Sequence, residues 1–209
     1  MQNQRANFAG LVLDPPCIIG PAVATDHARV EYEALRATIR ERGTWRVVLF
    51  WMSLAVWAAV LLTATVRGTP FGSLVSLVSL AAGFEGIYAL HIGVERIGRY
   101  LQVFYEEAAT LPAWERTAMA YGREPSGDGV DPLFSKVFAA AALLNFVAIL
   151  TTRPVGFVVV GVVAHVLFAA RILQAKRYAA GQRARDLERF RRLKEKVVTG
   201  DRSSSRTAN

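Results

Sequence analysis

Four stretches of the chain are almost free of charge, and charged segments separate or flank them. Residues 47–66 read VVLFWMSLAVWAAVLLTATV. Residues 70–84 read PFGSLVSLVSLAAGF, and apolar character continues past Glu85 to Val94. Residues 137–152 read VFAAAALLNFVAILTT, and residues 154–170 read PVGFVVVGVVAHVLFAA. A helix needs about 20 mostly apolar residues to cross a bilayer. The first, second and fourth stretches meet that length, and the third meets it only if it starts near Leu133. A soluble chain of two buried helical hairpins is the weaker alternative, because a soluble domain interleaves polar residues throughout. The pattern predicts an all-α integral membrane protein. Its four transmembrane helices fall in two hairpins, with spans at about 45–66, 70–94, 133–152 and 154–174, and cytoplasmic helical extensions follow.

The segments between and beyond the spans carry their own periodicity. Residues 1–24 read as an irregular cytoplasmic N-terminus. Thr25 or Asp26 can cap a helix over 25–43, since a side-chain oxygen there satisfies free N–H groups. Tyr32, Leu35 and Ile39 share one face of it, and Gly43 reads as a joint into the first span. The four-helix membrane domain then covers 44–174, with cytoplasmic loop and helices at 95–132. The second span has no stop signal at its inner end. Ile97, Leu101, Phe104 and Ala108 continue one helical face, so one long helix is expected to leave the bilayer. Pro112 suits the first turn of a shorter helix, PAWERTAMAYGRE. Residues 124–132, EPSGDGVDP, read as a loop; DGVD lacks the ligand spacing and closing Glu of a calcium site. The fourth span also runs on, into a basic amphipathic helix over 175–199. There Leu187, Phe190, Leu193 and Val197 share a face, and Glu188 can pair with Arg192. Residues 200–209 read as a disordered tail. Both hairpins turn on an Arg–Pro–Gly phrase, VRGTPFG and TRPVG, which is turn chemistry rather than a repeat.

Charge sets the orientation. The chain has 209 residues, is 53% hydrophobic and carries a net charge of +8; its mean hydropathy is +0.27. From Arg171 onward there are 12 Lys/Arg against 4 Asp/Glu, and the preceding residues hold 13 of each, so the whole excess sits on the C-terminal tail. The two short turns contain only Arg67 and Arg153, leaving 23 basic residues to the N-terminal segment, the central loop and the tail. Basic residues collect on cytoplasmic flanks. Both termini and the central loop are therefore expected inside, with Trp45 and Trp51 anchoring the inner end of the first span. The first 21 residues contain Pro15, Pro16 and Pro21 and no sustained apolar core, unlike a signal peptide. The first span is expected to target the chain. Cys17 is the single cysteine, so no disulfide forms within the chain. The excess of Arg (21) over Lys (4) is compatible with a GC-rich bacterial genome and an inner-membrane location.

Polar residues inside the apolar stretches are the candidates for a site. An ionised side chain at mid-helix costs roughly 2.5–3.5 kcal/mol on insertion scales, so such groups should face partners. Counting from the outer turns puts Glu85 and Arg171 at similar depth, on neighbours expected to be antiparallel, with His165 and Asn145 nearer the midplane. Glu85 is expected to face Arg171 or His165. Glu85, Asn145, His165 and Arg171 form a candidate intramembrane polar network that ties helices together where lipid offers no hydrophobic force. Two other readings compete: a proton or ion pathway through Glu85 and His165, and a metal site from Glu85, His91, Glu95 and His165. The metal reading is the weaker, since only His91 and Glu95 share a helix at ligand spacing. Ser76, Ser79, Gly83 and Gly86, with Gly93 further on, form a small-residue stripe that admits close approach by another helix, in this chain or a second copy.

The tail offers a contact surface. Leu187, Phe190, Arg191, Arg192, Leu193 and Lys194 can meet anionic lipid heads or pack on the stripes of the other two extensions. Packing is favoured because three such stripes lack partners. Charge alone speaks for nucleic acid, which is too little. The chain has no phosphate-binding loop, HExxH, GxSxG or dinucleotide turn, and no catalytic residue or cofactor is assigned. The function expected is a non-enzymatic multi-pass protein that oligomerises or docks a partner through its cytoplasmic helices. The alternatives are a small proton or ion channel, and a membrane metalloenzyme with a site near Glu85, His91 and Glu95.

Overall fold

The computed structural model describes residues 21–69, 71–107, 131, 133–150 and 155–206. Among them there is no strand. Helix α1 spans Pro21–Arg67, α2 Gly72–Leu101, α3 Ser135–Leu150 and α4 Val155–Arg206, and α2 continues into a π-helical turn, Gln102–Glu106. Three of the helices, α1, α2 with its π turn, and α4, are long and apolar enough to cross a membrane; α3 is apolar but shorter. Most of their large apolar side chains point outward. Trp51, Leu62, Val78, Leu143 and Leu167 are each about two-thirds exposed, at 64%, 66%, 66%, 65% and 65%. A monomer in water does not present so continuous an apolar surface, so the exposed belt fits a membrane protein and weighs against two buried soluble hairpins.

Helix α2 lies at the centre. It packs along α1, α3 and α4, whereas α1 and α4 scarcely meet. Glycines set the α1–α2 distance. A Cβ built on Gly83 would stand 2.1 Å from the Ser53 hydroxyl, one on Gly86 2.6 Å from Leu49, and one on Gly72 1.9 Å from the Ala64 methyl. These pairs run in opposite directions along the chain, so the helices are antiparallel and their backbones approach to a distance only glycine permits. Gly83, Gly86 and Gly93 of the small-residue stripe thus face α1 of the same chain. Ser76 turns away from this seam to Asn145 on α3. The core between the helices is aromatic: Phe84 meets Phe138 edge-on at 5.5 Å and Phe168 at 6.0 Å, and Leu80 and Ile87 are fully buried beside them.

Several boundaries differ from the sequence pattern. Helix α1 begins at Pro21, before the caps at Thr25 and Asp26, because a proline in the first turn needs no amide hydrogen. It also runs through Gly43 without a joint. Glycine costs about 1 kcal/mol relative to alanine in a helix, and contacts on both sides of it offset that: Glu31 binds Tyr100 of α2 and Tyr32 packs on Tyr105 of the π turn on one side, and Arg46 binds His91 of α2 on the other. Helix α4 likewise passes Gly200 and ends at Arg206, where a disordered tail was expected. The π turn shifts the face that α-periodicity predicted, so that Val103, not Phe104, is the fully buried residue there. Residues 1–20, expected to be irregular, the helix expected for PAWERTAMAYGRE, most of the loop expected over 124–132, and Ala108 lie outside the described residues.

The start of α3 is built by three neighbours. The Asp131 carboxylate accepts from the amides of Leu133 (3.2 Å) and Lys136 (3.3 Å) and from the Ser135 hydroxyl. Burial pushes its carboxyl up, but these hydrogen bonds outweigh it and hold the group below the usual carboxylate range. Phe134 takes a φ of +49°, a conformation that a bulky residue adopts only when its surroundings impose it. Its ring stacks on Phe50 at 4.3 Å, which supplies that constraint.

Candidate functional site

A single amide joins all four helices. Asn145 is fully buried on α3. Its Oδ1 accepts from the Trp57 indole of α1 at 3.4 Å and from the Ser76 hydroxyl of α2. Its Nδ2 donates to the Ser73 carbonyl of α2 at 2.9 Å and to His165 Nε2 of α4 at 3.2 Å. The second histidine nitrogen decides the orientation. His165 Nδ1 lies 2.7 Å from the Gly161 carbonyl, which can only accept, so Nδ1 carries the hydrogen and Nε2 is the acceptor. Every donor and acceptor of the Asn145 amide is then used. A second proton on His165 would face the Asn145 amide hydrogens. Flipping that amide would turn the same hydrogens onto the Trp57 N–H. The arrangement holds the imidazole in one tautomer.

The second cluster lies further along α2 and α4. Arg171 grips Glu85 with two contacts, Nε to Oε1 at 2.7 Å and Nη2 to Oε2 at 2.8 Å. This paired geometry is the strong form of the interaction. The guanidinium also stands 4.8 Å over the Tyr88 ring, and Tyr88 meets Tyr178 edge-on. Helices α2 and α4 run parallel, because their contacts Phe84–Phe168, Glu85–Arg171 and Tyr88–Tyr178 ascend together. The antiparallel neighbours expected from the depth count are corrected by this. Two helices that start from turns lying together, where Phe71 meets Phe157 at 4.7 Å, must run in the same direction. The pair is also less buried than a network in the bundle interior would be: the Arg171 and Glu85 side chains are 33% and 45% exposed.

Glu85, Asn145, His165 and Arg171 therefore fall into two sets, Asn145 with His165 and Glu85 with Arg171, with the Phe84 ring at the core between the helices that carry them. His91 is buried against α1, with Arg46 Nη1 at 3.4 Å from its Nδ1, and Glu95 engages Arg99 one turn on. Among the described residues no three His, Cys, Asp or Glu side chains gather as a metal ion would require. The residues proposed for a metal site each hold a different partner. Sequence reasoning missed Trp57, Ser73, Tyr88 and Arg46, which complete these clusters. Ser73 and Ser76 one turn apart, opposite the only Asn in an apolar stretch, were the available signal.

Beyond the apolar segments, α1, α2 and α4 continue as a three-helix stalk. Glu31 accepts from Tyr100 at 2.9 Å and Tyr105 at 2.6 Å. Phe190 packs edge-on against Tyr100 and Phe104. Lys194 donates to the Val103 carbonyl at the π turn, and Arg191 holds Glu107 at 2.7 Å. The tail face divides. Phe190, Arg191 and Lys194 contact α2 or its π turn, Arg192 pairs with Glu188 of its own helix, and Leu193 and Val197 are exposed. Leu187 is half-buried.

Comparison with protein families, curated proteins and solved structures finds no match.

Proposed function

We propose that this chain is a non-enzymatic membrane protein that crosses the bilayer four times and presents its stalk to the cytoplasm as a docking surface for a protein partner or a second copy. The uneven distribution of basic residues supports this topology. Helix α3 rises only about 24 Å over its 16 residues, and the apolar run 133–152 supplies the remaining length. Both termini are then cytoplasmic and both short turns external. The observation that carries the docking reading is the continuity of the three long helices. Each leaves its apolar segment without a break and enters one aromatic-centred bundle, with Arg185, Arg189 and Arg192 exposed on it. An unbroken α4 also directs the basic tail away from the membrane plane. Residues near Leu193 stand about 57 Å from Val155, beyond the reach of lipid heads. The membrane part is filled by Phe84, Phe138, Leu80 and Ile87, which favours a closed bundle over an ion pathway.

Two measurements test this. Cys17, and a cysteine placed at Ser204 in a Cys17→Ser chain, should react with an impermeant maleimide only after cells are opened. Crosslinking in intact cells should trap the full chain in a complex larger than the monomer, and Arg185→Glu with Arg189→Glu should reduce it. A chain that stays monomeric under crosslinking, or whose ends are labelled from outside, overturns the proposal. Proton flux into liposomes that Glu85→Gln abolishes would establish the conductor instead.

A further inference from the structure

The seam between α3 and α4 is not filled. Ala139 and Ala142 on α3 and Ala169 and Leu173 on α4 line a groove of about 450 Å³, together with other apolar side chains and His165. Three alanines leave the space that larger side chains occupy in the core. Leu173 also borders a shallow depression on the surface of α4, lined by Ala170, Gln174, Arg177 and Tyr178. The surface thus changes from mostly apolar along the groove to cationic beside Arg177.

Arg177 is the unusual member. Arg171 is committed to Glu85, and Arg185 lies over the Tyr178 ring. Arg177 is exposed and has no hydrogen bond or ion pair among the described residues. Its position along α4 is telling. It lies 22 residues after Val155, about 33 Å along the axis, and the hydrocarbon core is about 30 Å thick. The groove from Val162 to Leu173 occupies the half of α4 leading to that level. We propose that the α3–α4 groove binds a phospholipid of the stalk-side leaflet, with an acyl chain along the alanine-lined seam and the phosphate on Arg177. An unpaired guanidinium at the phosphate level is a matched partner for that group. A helix from a second copy would fill the seam but leave the cation unanswered. The leaflet assignment rests on the topology proposed above; the site itself rests on the groove and the cation.

The test uses the full chain extracted in mild detergent from membranes containing phosphatidylglycerol and examined by native mass spectrometry. The wild-type chain should retain one phospholipid per chain. Arg177→Gln should lower phosphatidylglycerol occupancy about tenfold, equivalent to roughly 1.4 kcal/mol. Ala142→Trp should fill the groove and remove retention, while Val78→Trp, on an exposed face of α2, should leave it unchanged. Circular dichroism checks that each variant is folded, and Arg177→Gln, a surface change, keeps the test decisive if Ala142→Trp is not. Equal retention in wild type and Arg177→Gln overturns the proposal. So does a Leu143→Cys disulfide dimer, in a Cys17→Ser chain, that forms in native membranes and excludes lipid. Lipid count does not depend on partner capture, so failure here and failure of the docking reading are separate results.

Discussion

The two helical hairpins are alike in topology and differ in what holds them. Helices α1 and α2 touch backbone to backbone along a glycine seam, and the contact continues into the stalk. Helices α3 and α4 are spaced by alanines, leave a groove between them, and meet closely at Gly161, where a Cβ would stand 2.6 Å from Ile149, and at Asn145. The first hairpin gains dispersion energy from length and proximity. The second is too short and too open for that, and a hydrogen-bonded amide shared with the first hairpin holds it in place. In lipid, where helices are not driven together by water, close packing and polar contacts are the two available forces, and this chain uses one per hairpin.

The sharpest way to break that contrast is at Gly83. Leucine there has no room beside Ser53, whose Cβ would be 2.4 Å from the new Cβ. Overpacking of a tight seam costs about 1–3 kcal/mol and occasionally more, and here the whole α1–α2 register must move. Gly83→Leu is expected to lower stability in mixed micelles by about 3 kcal/mol. Gly43→Ala is the internal control. It has open space around it and should stabilise the helix, by up to about 1 kcal/mol. Equal effects of the two changes, read from the helical signal during detergent denaturation, would mean that the glycine seam is not what sets the α1–α2 contact.

Asn145→Leu addresses the second hairpin. It removes four hydrogen bonds and leaves the Trp57 N–H and His165 Nε2 without their partner, while the Ser76 hydroxyl can still donate to the Ser73 carbonyl. Side-chain bonds between membrane helices average about 0.6 kcal/mol, so a loss of about 2 kcal/mol is expected. The loss should concentrate on α3 and α4, seen as faster hydrogen exchange there than in α1 and α2. Uniform loosening across all four helices would show that the amide is not the tie specific to the second hairpin.

How much of this was readable beforehand follows from the same physics. The apolar stretches and the small residues at Gly83, Gly86 and Gly93 are one-dimensional signals, because span length and the absence of a side chain need no partner to be seen. The exits of α2 and α4 into continuous helices were legible for the same reason: no proline or glycine cluster stops them. Polar partnerships are different. Asn145 was visible as polar in apolar surroundings, but Trp57 and Ser76 come from residues 88 and 69 positions away, and nothing in local periodicity joins them. The π turn was hidden because one extra residue per turn leaves no compositional mark, and it moved the buried position from Phe104 to Val103. The parallel course of α2 and α4 needed only the connectivity, two helices that each follow a turn on the same side of the bundle.

The smallest expected effect separates the interior amide from the outward ion pair. Arg171 and Glu85 neutralise each other on a part-exposed face, and exchanging a matched charge pair for apolar side chains is often close to neutral. Removing one member leaves a charge facing lipid, whereas removing both leaves none. Arg171→Leu alone should therefore destabilise more than Arg171→Leu combined with Glu85→Leu, and the double variant should lie within about 1 kcal/mol of wild type. Hydrophobic replacement of Asn145 together with His165 should not recover in the same way, because the Trp57 indole N–H is left without its acceptor, while the Ser76 hydroxyl falls back on the Ser73 carbonyl at 2.9 Å. A double-mutant cycle on each pair in mixed micelles reads both terms. If the outward pair fails to recover while the interior pair does, the assignment of one cluster to specificity of packing and the other to mutual neutralisation must be exchanged.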